Sequence, residues 1–237
     1  MASEQDDGKN QGDVLTIMTT EHYNLQTARS ATISEASGRS SLFLATVSSS
    51  LVALGFIAQA AGPKGETFFV FAFVLLPSLF FLGLVTFVRS IELSIEDIVY
   101  GRGIARIRHY YLDRVPQMKD YFILGWHDDM AGSTLNMGML APRLQPLMTT
   151  SGTIAVLDSI IAGSFIALLV SRPLGSSAAA LPVSVVLGIL IFAASLAVHL
   201  RFQSPLMDRR TPSASRCTNG MPSASDARMR RIPKTRS

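Results

Sequence analysis

One acid stands apart from the other ionisable side chains. Asp158 lies within residues 152–171, a stretch otherwise free of charge and strongly apolar. A carboxylate placed in hydrocarbon costs about 2.5 kcal/mol or more on insertion scales, so such an acid faces protein or water. In its protonated form it can donate a hydrogen bond and exchange a proton. The chemistry open to it is binding of a proton or small cation. Ser159 stands beside it, and Thr46, Ser48, Ser49 or Ser50 of an earlier apolar stretch are expected opposite. The competing reading is a structural acid, bonded across helices or left near the headgroups by a helix that starts later.

Other chemistry-bearing patterns are weaker. Gly101-Arg102-Gly103-Ile104-Ala105-Arg106 lacks the third glycine of a nucleotide loop and follows no strand. His127-Asp128 has only His22, His109 and His199 as further histidines, at no metal-ligand spacing. The single cysteine, Cys217, can form neither an intramolecular bridge nor a cysteine-rich metal site. With no nucleophile–base set, no enzyme, cofactor or metal is expected.

These residues must be positioned by unusual elements. The 237 residues carry a net charge of +4 and are 48% hydrophobic, ordinary values unevenly spread. A helix rising 1.5 Å per residue needs roughly 20 apolar residues to cross a hydrocarbon core about 30 Å thick. Residues 41–62, 67–88, about 152–171 and about 181–200 meet that, each apolar all round rather than along one stripe. The expected fold is all-α, a polytopic integral membrane protein whose four transmembrane helices form two hairpins joined by a helical cytoplasmic segment. The expected organisation is a disordered acidic N-tail (1–20), a helix feeding the first hairpin (21–89), the cytoplasmic segment (90–150), the second hairpin (151–201) and a disordered basic C-tail (202–237). The first 40 residues are polar, with six acidic side chains and no signal-peptide pattern, so the first span is expected to be a retained anchor.

Within the spans two patterns bear on packing. Ser151, Ala155, Ser159, Gly163, Ala167 and Ser171 recur every four residues on one helix face. Small side chains there let two backbones approach closely, inside the bundle or between protomers. Pro77, in the middle of the second span, removes a backbone hydrogen bond and predicts a kink. The phenylalanines of that span are expected to face lipid.

Lys and Arg set the orientation. Residues 1–40, 89–151 and 201–237 share one side in any four-span topology and hold 19 of the 21 basic residues; the opposite turns hold Lys64 and Arg172. Both termini are therefore expected in the cytoplasm of a cell bearing this protein in its inner membrane.

On the cytoplasmic side, Ile91, Ile95 and Ile98 make an apolar stripe that changes phase after Gly101 and Gly103, which predicts a hinge there. Beyond it, Arg102, Arg106, His109 and Asp113 share a face that could lie on anionic headgroups, or pack as an ordinary helix hairpin. Tyr121 to Trp126 is too short to cross and reads as an interfacial touch-down or a small core patch. Met130, Met137, Met139 and Met148 suggest an adaptable approach to the third span. Glu35 and Arg39 form a favourably oriented helix pair. The C-tail, with Pro-Ser-Ala-Ser at Pro212 and again at Pro222, suits adhesion to anionic lipid; no nucleic acid is expected as partner.

His22-Tyr23-Asn24-Leu25-Gln26-Thr27-Ala28-Arg29-Ser30, Glu35 and Gly38-Arg39, then Arg89-Ser90-Ile91 through Glu96-Asp97 and the stretch from Arg106 to Tyr111, resemble a group of uncharacterised actinobacterial multi-pass membrane proteins. The resemblance covers roughly residues 20–200 and implies topology and a bacterial cell membrane, with no activity attached. The two-plus-two plan is also similar in outline to four-helix membrane effectors of bacterial defence systems, an analogy of shape alone. The functional expectation is a non-enzymatic module that assembles or transmits through its cytoplasmic helices. It leaves room for a homo-oligomer and for a cytosolic protein partner. The alternative is an oligomeric channel, membrane-perturbing effector or ion-coupled transporter using Asp158.

Overall fold

The computed structural model describes residues 2–62, 65–128, 132, 136, 145–174 and 180–209. The turn at Pro63 and Lys64, Met130, Met137, Met139, Arg143, Gly175, Cys217 and the tail from residue 210 lie outside them. Among the described residues there is no strand. The elements are α1 (Ala2–Ala61), α2 (Glu66–Arg114), a 3-10 turn (Pro116–Tyr121), α3 (Gln145–Met148), α4 (Thr150–Leu174) and α5 (Ala180–Arg209). By length and composition α1, α2, α4 and α5 can each cross a membrane.

The first two helices far exceed a bilayer. At 60 and 49 residues they run about 90 Å and about 74 Å, against roughly 30 Å of hydrocarbon. Residues 2–20, expected to be disordered, are helical, and α5 likewise carries helix beyond residue 202 to Arg209. Nucleation is the costly step of helix formation, so a span already folded extends cheaply. Thr16, Thr19 and Thr20 each donate to the carbonyl four residues back, at 2.8–2.9 Å. Helix is continuous through Gly101 and Gly103, where the chain passes from one compact unit to the other. A helical glycine costs only about 1 kcal/mol, and Gly103 is used for close approach instead. A Cβ there would stand 2.9 Å from Leu25 Cδ1. Pro77 likewise sits inside α2 without ending it.

Helix ends follow local chemistry. Gly62, with φ of 76°, supplies the left-handed residue that closes α1, and Gly65 N–H returns to its carbonyl at 2.9 Å. Pro116 follows the end of α2, where no further helical N–H is available. Thr149 caps α4, its Oγ1 accepting from Gly152 N–H at 3.0 Å.

The chain divides into two units, one built on Gln26–Tyr100 with Met139–Thr211, the other on Met1–Leu25 with Gly101–Gly138. In the first, Phe43 and Val47 of α1 join Ala72, Leu76, Leu79, Phe87, Ile91 and Ile95 of α2 and Ile154, Ala155 and Ile161 of α4 in one apolar core. The phenylalanines of α2 divide between faces: Phe68 and Phe87 are buried and Phe81 is exposed. Gly163 of α4 meets Gly188 of α5 closely enough that a Cβ on Gly163 would stand 2.6 Å from the Gly188 carbonyl oxygen. In the second unit Ile104, Ala105 and Ile107 are buried, and Asn136 brackets Gly125, accepting from its N–H at 2.7 Å and donating to its carbonyl at 3.2 Å.

Gly163→Leu would overfill that crossing and is expected to cost about 1–3 kcal/mol. Gly55→Ala, whose Cβ meets open space, should leave stability unchanged. Thermal unfolding of both variants in detergent, against the parent chain, reads the difference.

Candidate functional site

The inward stripe of α2 runs Ala72, Leu76, Leu79, Gly83, Phe87, Ile91 and Ile95, a large or medium side chain at nearly every step until Gly83. That missing side chain is where Asp158 sits. A Cβ at position 83 would overlap Asp158 Oδ1. Asp158 is 0% exposed, and so are Ser151, Ala155 and Ser159 on the same helix. The expected seam residues therefore divide by neighbour. Ser151, Ala155 and Ser159 are buried, Gly163 and Ala167 stand against Gly188, and Ser171 is half-buried with its hydroxyl on Leu168 O at 2.8 Å.

The acid's partner is not the expected one. The small polar residues of α1 do not reach it: Thr46 donates to Leu42 O and Ser49 to Ala45 O, and both are exposed, because α1 turns Phe43 and Val47 inward. Asp158 instead faces His199 of α5, whose Nε2 stands 3.2 Å from Oδ2. His199 is 4% exposed, with Phe87 edge-on to its ring at a 4.6 Å centroid separation. Its Nδ1 lies 2.8 Å from the carbonyl of Ser195, one turn earlier. A carbonyl can only accept, so Nδ1 carries hydrogen and Nε2 is the atom left to answer the carboxyl. Ser195 Oγ stands 3.2 Å from Ser159 Oγ, which also donates to Ala155 O at 2.7 Å.

Three helices thus contribute one group each: Gly83 the space, Asp158 the acid and His199 the base. Sequence reasoning found Asp158 and Ser159 but missed Gly83, Ser195 and His199. The available signals were a glycine within a stripe of larger residues and the Ser195/His199 pair one turn apart. Pro77 is half-buried in α2, nearly two turns before Gly83, and takes no part; Gly101 and Gly103 belong to the other unit.

A second polar feature of the same unit lies on α1 and α2 beyond residues 41–62 and 67–88. Arg29 Nε meets Asp97 Oδ1 at 2.7 Å, and Arg89 meets Glu35 at 3.1 Å while also reaching Glu92 and Glu96. Arg39 joins Glu35 at 2.8 Å. Hydrogen bonds from Arg89 and then Arg39 hold the Glu35 carboxyl below its ordinary range, and the same contact raises Arg89.

In the other unit the face expected to carry Arg102, Arg106, His109 and Asp113 against headgroups is altered. Arg102 is only 7% exposed, and Arg106 is tied to Asp128 at 2.9 Å. Asp128, at 2% exposure, is thereby held by a guanidinium; its neighbour His127 stacks on Trp126. A cavity of about 560 Å³ lies between Leu15 and the Tyr110, Tyr111, Arg114 and Met118 side chains, with Arg114 over the Tyr110 ring.

No family model, curated protein or solved structure matches this chain.

Removing one partner of a buried polar pair costs about 1–3 kcal/mol because it leaves the other without an answering group. His199→Leu should show a loss of that size in equilibrium unfolding, and adding Asp158→Leu should recover part of it, a non-additive cycle. The Glu35 link behaves differently with pH. Its folded carboxyl titrates below the unfolded one, so its contribution is full at neutral pH and lost as pH falls through that lowered range. Amide exchange near residue 35 should accelerate in acid in the parent chain and show a weaker acid response in Arg89→Ala.

Proposed function

We propose that the chain is a non-enzymatic protein of the cell membrane, crossing it four times as two hairpins with both termini in the cytoplasm. In this reading it works as an assembly or signal-transmitting module whose output is carried by the cytoplasmic parts of α1 and α2. The observation that carries the proposal is the continuity of those two helices. Each is one helix that extends well beyond its apolar stretch. Within the larger unit, residues 26–40 and 89–100 continue the apolar stretches of α1 and α2 in the same helices.

Two further facts support it. Arg29–Asp97 and Arg89–Glu35 couple α1 to α2 outside the apolar stretches, so the pair moves together. Of the 21 basic residues, 19 belong to the segments assigned to the cytoplasm, the bias that sets orientation. The partners in this proposal are anionic lipids at that face, a second copy of the chain and a cytosolic protein. The competing reading, an oligomeric pore or ion-coupled transporter, draws its support from Asp158 alone.

An outside-only reporter is expected to be active when fused at Lys64 or Arg172 and silent at Lys119. Purified protein in sealed vesicles should leave an ion gradient intact, while a cytosolic protein co-purifies at fixed stoichiometry. A signal at Lys119 would overturn the topology. Collapse of the gradient, with depolarisation on overexpression, would replace the module with a pore.

A further inference from the structure

The pair at the centre of α2, α4 and α5 is short of hydrogen bonds. Among the described residues neither Asp158 oxygen accepts a well-formed hydrogen bond, and His199 Nε2 makes none, although it stands 3.2 Å from Oδ2. A fixed ion pair sealed from water needs good geometry and satisfied lone pairs to offset desolvation. Here Oδ1 rests on Gly83 rather than on a donor. A neutral alternative has no such requirement. With Nδ1–H already committed to the Ser195 carbonyl, a protonated Asp158 donates from Oδ2 to the bare Nε2.

We infer that Asp158 and His199 form a proton-binding site within the bundle, one exchangeable proton being held between Oδ2 and Nε2. The step balances simply. The O–H bond of the acid breaks as the N–H bond forms on the imidazole, turning a carboxylic acid and neutral ring into a carboxylate and imidazolium, with no net change of charge. Loss of that proton leaves a carboxylate facing a lone pair, the state that bulk proton uptake relieves. Each helix packed around the pair presents it with groups that do not compete for the proton. α2 presents Gly83 and Phe87, α4 presents Ser159, α5 presents Ser195, and α1 contributes Phe43 and Val47 to the surrounding core. None of these titrates. The nearest charges along the sequence are Arg201, exposed at the end of the α5 span, and Arg89, already engaged by Glu35.

The site requires that the spans lie in a bilayer; it does not require that α1 and α2 transmit anything, so it stands or falls separately. The test uses the full chain in vesicles of phosphatidylethanolamine and phosphatidylglycerol, with labelled aspartate carboxyl carbon and histidine ring nitrogen, followed by solid-state NMR between pH 5 and 9. The Asp158 carboxyl and His199 Nε2 signals are expected to move together while Nδ1 stays protonated. In Asp158→Asn the His199 transition should shift by a pH unit or more, a tenfold change in proton affinity. Asp128→Asn, in the other unit, should leave it in place. Static Asp158 and Nε2 signals across the range in the parent chain would overturn the inference, and that result does not depend on any variant folding. So would a His199 transition unmoved by Asp158→Asn.

Discussion

Everything in the larger unit is arranged around a carboxyl group that has no water to turn to. Asp158 can be buried only if one neighbour leaves room and another answers its charge or its proton. Gly83 does the first and His199 the second, from two different helices. That fixes rotation. If α2 turned by one residue, the gap at Gly83 would no longer face α4; if α5 turned, His199 would lose both Asp158 and its edge-on contact with Phe87. Apolar packing between membrane helices gains little from exchanging lipid for protein, so a polar triad of this kind can set register where hydrophobic surface cannot.

The small residues of α4 serve that same register. Gly163 and Gly188 let α4 and α5 approach at backbone distance, and Asp158 and His199 can meet only if the two helices are that close. α1 and α2 are held differently. Their apolar stretches share the core through Phe43 and Val47, and beyond those stretches ion pairs between arginine and acid take over. Such pairs are individually weak at a wet surface, but Arg89 reaches three acids and Glu35 two arginines, so this is a network rather than a set of isolated bridges.

The four long apolar helices were readable because length and all-round apolarity are properties of one segment at a time. Asp158 was readable for the same reason, as one charge among residues that have none. Its partner was not, because a single sequence carries no measure of which helix faces which. The hydroxyls of α1 looked suitable by composition, yet Thr46 and Ser49 satisfy themselves on their own backbone. At Gly101 and Gly103 local propensity favours a break; helix continues through both, and Gly103 lies against Leu25. Composition also marked residues 1–20 as unstructured, whereas the helix propagates from a span already formed.

The distance along the chain between Asp158 and His199 bears on how the protein is made. Synthesis delivers α4 before α5, so under the proposed topology Asp158 would meet the bilayer before α5 is in place. Gly83 is already in place to receive the side chain but offers no proton acceptor. During that interval α4 carries an acid that is costly to leave in hydrocarbon, and only the arrival of α5 supplies the group that answers it. Under the proposed topology α4 and α5 would enter the membrane as a couple, and a chain cut before residue 199 would leave Asp158 without the imidazole that faces it.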